Sequence, residues 1–134
     1  MNPHSLNYLA IVIAALSGFA LGGLWYSPVL FANAWLKGAG LSNEEVQKGN
    51  KAKIFGSTFV LFLIMAFILA MFVNHDNADA SWGAGVGFHA GLLTFSAIAI
   101  HSLFELKNWQ LILINGSYSL ISMIIMGTIL GAWR

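Results

Sequence analysis

Residues 54–73 read IFGSTFVLFLIMAFILAMFV, a run of twenty residues without a charged side chain. Three further stretches are equally free of charge: residues 1–36, 80–104 and 108–133. An α-helix rises about 1.5 Å per residue, so about 20 apolar residues cross the hydrocarbon core of a bilayer. Each stretch is long enough to do so. The sequence therefore predicts an all-α integral membrane protein with four transmembrane helices in an antiparallel bundle.

The predicted boundaries leave one long polar connection. We expect a single domain over residues 1–134, with spans at residues 6–31, 54–73, 82–104 and 109–133. In the connection, residues 32–53, Ser42 and Glu45 form a capping box, which predicts a helix beginning near Asn43. We expect this helix to continue without a break into the second span and to extend it into the cytoplasm.

The basic residues predict the orientation of the bundle. Lys37, Lys48, Lys51 and Lys53 lie between the first and second spans, and Lys107 lies between the third and fourth. Arg134 alone lies on the opposite side. Since cytoplasmic connections are enriched in Lys and Arg, both termini are predicted on the non-cytoplasmic side.

Composition restricts the classes of partner and cofactor. The chain is 58% hydrophobic and 8% charged, as in a bundle surrounded by membrane lipid. A net charge of only +1 provides no basic surface for nucleic acid. The absence of cysteine excludes a disulfide framework, a thiolate metal site and a catalytic thiol. We therefore predict no cofactor, no metal site and no nucleic-acid partner.

Glycine spacing predicts which helix faces pack closely. Small residues at i and i+4 allow helix backbones to approach in lipid. Seven glycines form four such pairs, in the first, third and fourth spans: Gly18, Gly22, Gly83, Gly87, Gly91, Gly127 and Gly131. The sequence leaves open whether these faces join helices within one chain or between chains. Since four short spans bury little surface, we expect a homo-oligomer, with the second span as the outer wall.

Polar residues inside the spans are the candidates for function. His101 and Asn115 lie at similar depths on adjacent helices, and Glu105 shares a helical face with His101 at i,i+4. All four helices bring polar groups to the cytoplasmic half. The candidate binding or proton-relay residues are Trp25, Tyr26, Ser27, His101, Glu105, Asn115 and Tyr118. No residue is predicted to be catalytic.

His89 receives a different interpretation. It lies between Gly87 and Gly91, and we expect it on the close-packed face as a buried neutral imidazole bonded to a carbonyl group. Asp76 and Asp79 are interpreted as solvated residues of a turn that precede the third span.

Three classes of function follow from the polar cluster. The first is a membrane protein that binds or transports a small solute, a cation or a proton through these residues. The alternative is a structural or accessory protein that binds lipid or a partner protein and uses the same residues as internal hydrogen-bonded links. An enzyme is the least favoured class, since only His101 and Glu105 offer acid–base chemistry.

Several short motifs resemble those of a known family. The main one is GGLWYSPVLF at residues 22–31, followed by Trp35. Others are Phe104-Glu105 before Trp109, NGSY at residues 115–118 and GAW at residues 131–133. Through these motifs the chain resembles the small membrane proteins of the domain of unknown function family 1761 (DUF1761). The resemblance implies a four-span protein of about this size, and it implies no activity, substrate or catalytic residue.

Overall fold

The chain folds into helices joined by turns. The structure, a computed structural model, describes residues 6–133, so Arg134 lies outside the described residues. The helices are α1 Tyr8–Trp25, α2 Ala32–Ala39, α3 Asn43–Gln47, α4 Lys51–Val73, α5 Ala80–Phe104 and α6 Trp109–Ala132. Four of them, α1, α4, α5 and α6, are long and apolar enough to cross a membrane. The predicted all-α fold with four such helices is confirmed, and it indicates a multi-pass membrane protein.

Side chains placed just before the helices determine where they begin. The residues that precede the four long helices each accept a backbone N–H of the first turn at 2.8–3.1 Å: Asn7, Asn50, Asp79 and Asn108. These bonds satisfy donors that have no partner within the helix. The capping box predicted at Ser42 and Glu45 is confirmed at the start of α3.

The polar connection contains a break that the sequence analysis did not predict. The expected continuous helix from Asn43 into the second span is wrong, because α3 ends at Gln47 and α4 begins at Lys51. Gly49 weakens a helix at this point, since glycine loses the most backbone entropy on folding. Asn50 then accepts the N–H of Lys53 at 3.1 Å and starts a new helix.

The first span is shorter than predicted, because α1 ends at Trp25 and not near residue 31. Pro28 has no N–H to continue a helix, and it disfavours helical geometry at Ser27. A turn over residues 26–31 is closed by a hydrogen bond from Phe31 N to Trp25 O at 3.1 Å. The chain then enters α2, which ends at Gly40 with a φ of 71°, a value that suits glycine.

Helix α6 is the centre of the bundle. It packs against α5, α1, α4 and the short α2. Helix α4 packs on both α1 and α6 through a buried stripe that includes Phe62, Ala66 and Leu69. Most of α4 outside this stripe is not buried, as expected of an outer helix. Helix α5 is equally peripheral, since it packs mainly on α6 and only slightly on α4.

The contact between α5 and α6 is a glycine seam, which we define as Gly83, Gly87 and Gly91 of α5 with Gly127 and Gly131 of α6. All five glycines are buried. A Cβ atom on Gly83 would overlap the carbonyl oxygen of Gly127, and one on Gly87 would overlap that of Met123. Backbone therefore meets backbone. The seam joins helices within one chain, which answers the question that the glycine spacing left open.

The other two predicted packing glycines accommodate side chains. A Cβ atom on Gly18 would lie 2.6 Å from the Phe62 ring. One on Gly22 would lie 2.6 Å from the hydroxyl oxygen of Tyr118. These glycines make room for aromatic rings from α4 and α6 against α1.

The backbone contact at the glycine seam can be tested by placing one methyl group on the side of α5 that faces α6. The same change on an open side of α5 is the control. Gly87→Ala directs its Cβ into the backbone of Met123, so we expect a loss of about 1–3 kcal/mol of stability, as in other overpacked sites. Gly85→Ala is the matched control, because nothing lies within 4 Å of its Cβ position. Thermal unfolding in detergent should show a lower midpoint for Gly87→Ala only. Equal midpoints for the two variants would contradict backbone contact at the seam.

Candidate functional site

Polar aromatic groups at the end of α1 meet the middle of α6. We define the aromatic–amide cluster as Trp25, Tyr26, Asn115 and Tyr118. The Tyr26 hydroxyl donates to Asn115 Oδ1 at 2.7 Å, and the Trp25 indole donates to the carbonyl of Ile114 at 2.9 Å. The Tyr118 hydroxyl donates in the opposite direction, to the carbonyl of Gly18 at 2.8 Å. Three hydrogen bonds thus connect α1 with α6.

Ring contacts extend the cluster to α2. The rings of Tyr26 and Tyr118 meet edge to face with centroids 5.3 Å apart, and Tyr26 meets Trp35 of α2 at 5.7 Å. The four cluster side chains are all partly buried. Such edge-to-face pairs add stabilisation to that of the buried area. The cluster therefore holds α1, α2 and α6 together through groups that satisfy one another.

The remaining predicted site residues lie apart from this cluster. Ser27 Oγ donates to the carbonyl of Leu24 within its own turn, at 2.7 Å. His101 is exposed on α5 and Glu105 is exposed just after its end, and within residues 6–133 their side chains form neither a hydrogen bond nor an ion pair. Asn115, which lies at a similar depth to His101, accepts the hydrogen bond of Tyr26 at Oδ1 instead of meeting His101.

The rotation of α5 explains why His101 points away. The glycine seam turns Gly83, Gly87 and Gly91 toward α6, and continuing this helical face brings Ser102 inward. Adjacent helical residues differ by about 100° in direction, so His101 is directed away from α6 although its depth matches that of Asn115. Equal depth along adjacent helices was therefore not enough to predict a contact between His101 and Asn115.

A groove between α4 and α5 is the feature that sequence reasoning missed. Its volume is about 840 Å³. The groove is lined by Leu69, Phe72, Asp79, Ser81, Trp82, Gly85, Val86, His89, Ala90 and Leu93. Its walls are mainly apolar, with three polar side chains, Asp79, Ser81 and His89. The Trp82 indole donates to the carbonyl of Val73 at 2.9 Å and so joins α4 to α5 at one end of the groove.

Of the three polar side chains that line the groove, His89 lies nearest the middle of α5. It lies nine residues after the start of α5, about 14 Å along the axis and near the middle of the helix. The expectation of a buried His89 on the glycine face is wrong, since the side chain is exposed. Its two-residue offset from Gly87 and from Gly91 corresponds to about 200° around a helix, a signal that could have placed it on the opposite face.

The hydrogen bond of His89 determines which of its ring nitrogens donates and which accepts. Nδ1 lies 2.7 Å from the carbonyl oxygen of Gly85. A carbonyl oxygen only accepts, so Nδ1 carries the proton. In a neutral imidazole the other nitrogen, Nε2, is then a hydrogen-bond acceptor. The expected bond from His89 to a carbonyl group is therefore present, but at an exposed position.

Metal ligands do not gather in the described part of the chain. Within residues 6–133 there is no group of three or more His, Asp or Glu side chains that could hold a metal ion.

Comparison with known proteins agrees with the motifs at the end of α1 and along α6. The profile of the family described as Protein of unknown function (DUF1761) matches residues 9–131. The chain belongs to this family. The match to DUF1761 covers the aromatic–amide cluster and every residue that lines the groove. No curated protein and no solved structure shows significant similarity to the chain.

Removing a single hydroxyl group tests how much the aromatic–amide cluster contributes to the stability of this DUF1761 protein. Tyr26→Phe removes the hydrogen bond to Asn115 and keeps the ring. Hydrogen bonds between membrane helices contribute about 0.6 kcal/mol on average and about 1.7 at most, so we expect a small drop in thermal midpoint. Tyr8→Phe is the control, since the Tyr8 side chain is exposed at the other end of α1.

The exposed residues of α5 should behave differently in the same measurement. His101→Ala and Glu105→Gln remove side chains that have no polar partner in the described residues, so we expect the midpoint to stay unchanged. A drop as large as that of Tyr26→Phe would show that these side chains contribute to stability.

Proposed function

We propose that the protein is a membrane-embedded binding protein that takes up a small lipophilic molecule from the bilayer into the groove between α4 and α5. The observation that carries this proposal is the groove itself. Its volume of about 840 Å³ falls within the range of ligand pockets, roughly 300–1,000 Å³. Apolar walls with a few polar groups are also typical of such sites.

The position of the groove supports entry from lipid. Phe72 of α4 is exposed at the groove, and so are Trp82, His89 and Leu93 on the side of α5 away from α6. A lipophilic molecule dissolved in the bilayer would reach them by lateral diffusion, without crossing the bundle. His89 adds a polar group near the middle of a helix long enough to span the membrane, where ionisable residues are costly and often functional.

The aromatic–amide cluster supports a second, structural role. A ligand at this position would have to compete with the hydrogen bonds that Trp25, Tyr26 and Tyr118 already make. The cluster therefore favours the structural hypothesis for these residues, as internal links between α1, α2 and α6. Binding of a solute is favoured at the groove instead.

Transport and assembly are further parts of the proposal. Transport would require the bound molecule to leave toward the other membrane face, for which a movement of α5 is the simplest route, because α5 packs mainly on one neighbour. Membrane lipid surrounds the bundle in this proposal. A homo-oligomer remains a prediction, and both termini remain predicted on the non-cytoplasmic side.

Filling the groove tests the binding function. Gly85 lines the groove, and nothing lies within 4 Å of its Cβ position, so Gly85→Phe fills the groove without disturbing a packed neighbour. Gly56→Phe on α4 is the matched control, since Gly56 is equally open and lies outside the groove. Native mass spectrometry of protein released from native lipid should show a retained small molecule on the wild type and on Gly56→Phe. Gly85→Phe should lose it.

The same spectra also count protomers and so test the predicted homo-oligomer. Equal retention by Gly85→Phe and Gly56→Phe would contradict binding in the groove. The absence of a retained molecule from the wild type would also contradict it.

A further inference from the structure

We propose that the groove between α4 and α5 selects an uncharged lipophilic molecule that carries a hydroxyl group, and that this hydroxyl donates a hydrogen bond to Nε2 of His89. This inference rests on the proposed binding function and deepens it, because it names the chemical class of the ligand.

The ligand must supply a donor because His89 presents an acceptor. The bond from Nδ1 to the Gly85 carbonyl, at 2.7 Å, uses the one proton of the neutral ring. Nε2 has no partner within the described residues. An acceptor in apolar surroundings without a partner is unfavourable, so a molecule that brings an O–H group gains from occupying this position.

Donors on the groove wall are too distant or already used. The Ser81 hydroxyl lies eight residues before His89, about 12 Å along α5. The Trp82 indole N–H is donated to the carbonyl of Val73. The remaining lining side chains are apolar, apart from the acceptor Asp79.

A charged ligand is disfavoured by the depth of His89. A charge near the middle of a membrane costs more free energy than one hydrogen bond to a neutral imidazole returns. Asp79 is the only lining residue with a formal charge, and it is ten residues away, about 15 Å along α5. One of its oxygens already accepts the N–H of Trp82 at 2.8 Å. It cannot neutralise a cation at His89.

A second copy of the chain fits this surface less well. A symmetric dimer with its two-fold axis along the membrane normal would place identical residues of the two chains at the same depth. The α5 residue of the second copy at the depth of His89 would be another His89, which offers a second Nε2 acceptor and no free donor. A small hydroxyl-bearing molecule resolves this mismatch and a second copy does not.

The shape of the groove describes the rest of the ligand. The groove extends along α5 from Asp79 to Leu93, about 21 Å of helix. On the α4 side it is lined by Leu69 and Phe72. These walls suit an apolar chain or ring system, with the hydroxyl placed where it meets His89.

Two probes that differ by one methyl group test this inference. 4-Octylphenol carries a donor hydroxyl, and 4-octylanisole has the same apolar body with the donor blocked by a methyl group. Native mass spectrometry titrations in detergent give an apparent Kd for each probe. We expect the wild type to bind the phenol about tenfold more tightly than the anisole, the contribution of one net hydrogen bond. In ¹⁵N-histidine NMR, the phenol alone should shift the Nε2 signal of His89.

Substitution of His89 tests whether the preference for the phenol over the anisole depends on the Nε2 acceptor. His89→Phe keeps an aromatic ring and removes the acceptor, so the two probes should bind with equal apparent Kd. His101→Phe is the matched control on the same helix, since His101 is exposed and lies outside the groove, and it should keep the tenfold preference. Thermal midpoints verify that both variants are folded, which is expected because both side chains are exposed. A phenol preference that survives in His89→Phe would overturn the inference.

The groove-filling variant separates this inference from the binding function. If Gly85→Phe weakens both probes but the wild type binds them equally, the groove binds lipophilic molecules and the hydroxyl selectivity is wrong. If Gly85→Phe weakens neither probe, the groove is not their binding site, and both the binding function and the selectivity are overturned.

Discussion

The backbone contact between α5 and α6 is the constraint on which the rest of the structure depends. In lipid, the surroundings of a helix are as apolar as its side chains, so helices associate through close packing and hydrogen bonds rather than through the hydrophobic effect. The glycine seam allows two carbonyl-bearing backbones to touch at Gly83 and Gly127, and at Gly87 and Met123. This contact holds α5 to the bundle and also determines its rotation.

The rotation of α5 separates residues that lie close in sequence. Ser102 turns inward while His101, its neighbour, is exposed. His89 lies opposite the glycines that flank it and faces the groove. Because the seam uses one side of α5 and α4 touches this helix only slightly, the opposite side is left to line an open space. The candidate binding site is thus a consequence of one-sided packing.

At the end of α1, hydrogen bonds between polar groups, and not close contact of backbones, hold the helices together. Pro28 ends the helical geometry soon after Trp25, so Trp25 and Tyr26 are held where a turn leads into α2. Their side chains then donate to Asn115 and to the carbonyl of Ile114 on α6. Polar groups that satisfy each other in this way stabilise a particular arrangement of helices. His89 differs, since only Nδ1 of its two ring nitrogens has a hydrogen-bond partner within the described residues.

Local patterns of residues predicted the number of membrane-capable helices, the capping box at Ser42 and the identity of the close-packing glycines. These properties depend on residues within one segment, through charge, helical period and local hydrogen bonds. Depth along a helix was also predictable, because each residue advances by a constant rise. The break at Gly49 and Asn50 was missed because two weak local signals together outweighed continuation of the helix. The contact of Asn115 with Tyr26 rather than with His101, and the position of His89 in a groove, depend instead on how the helices pack together. The direction of a side chain around its helix has meaning only once neighbouring helices are in place, and here the glycine seam sets that direction for α5.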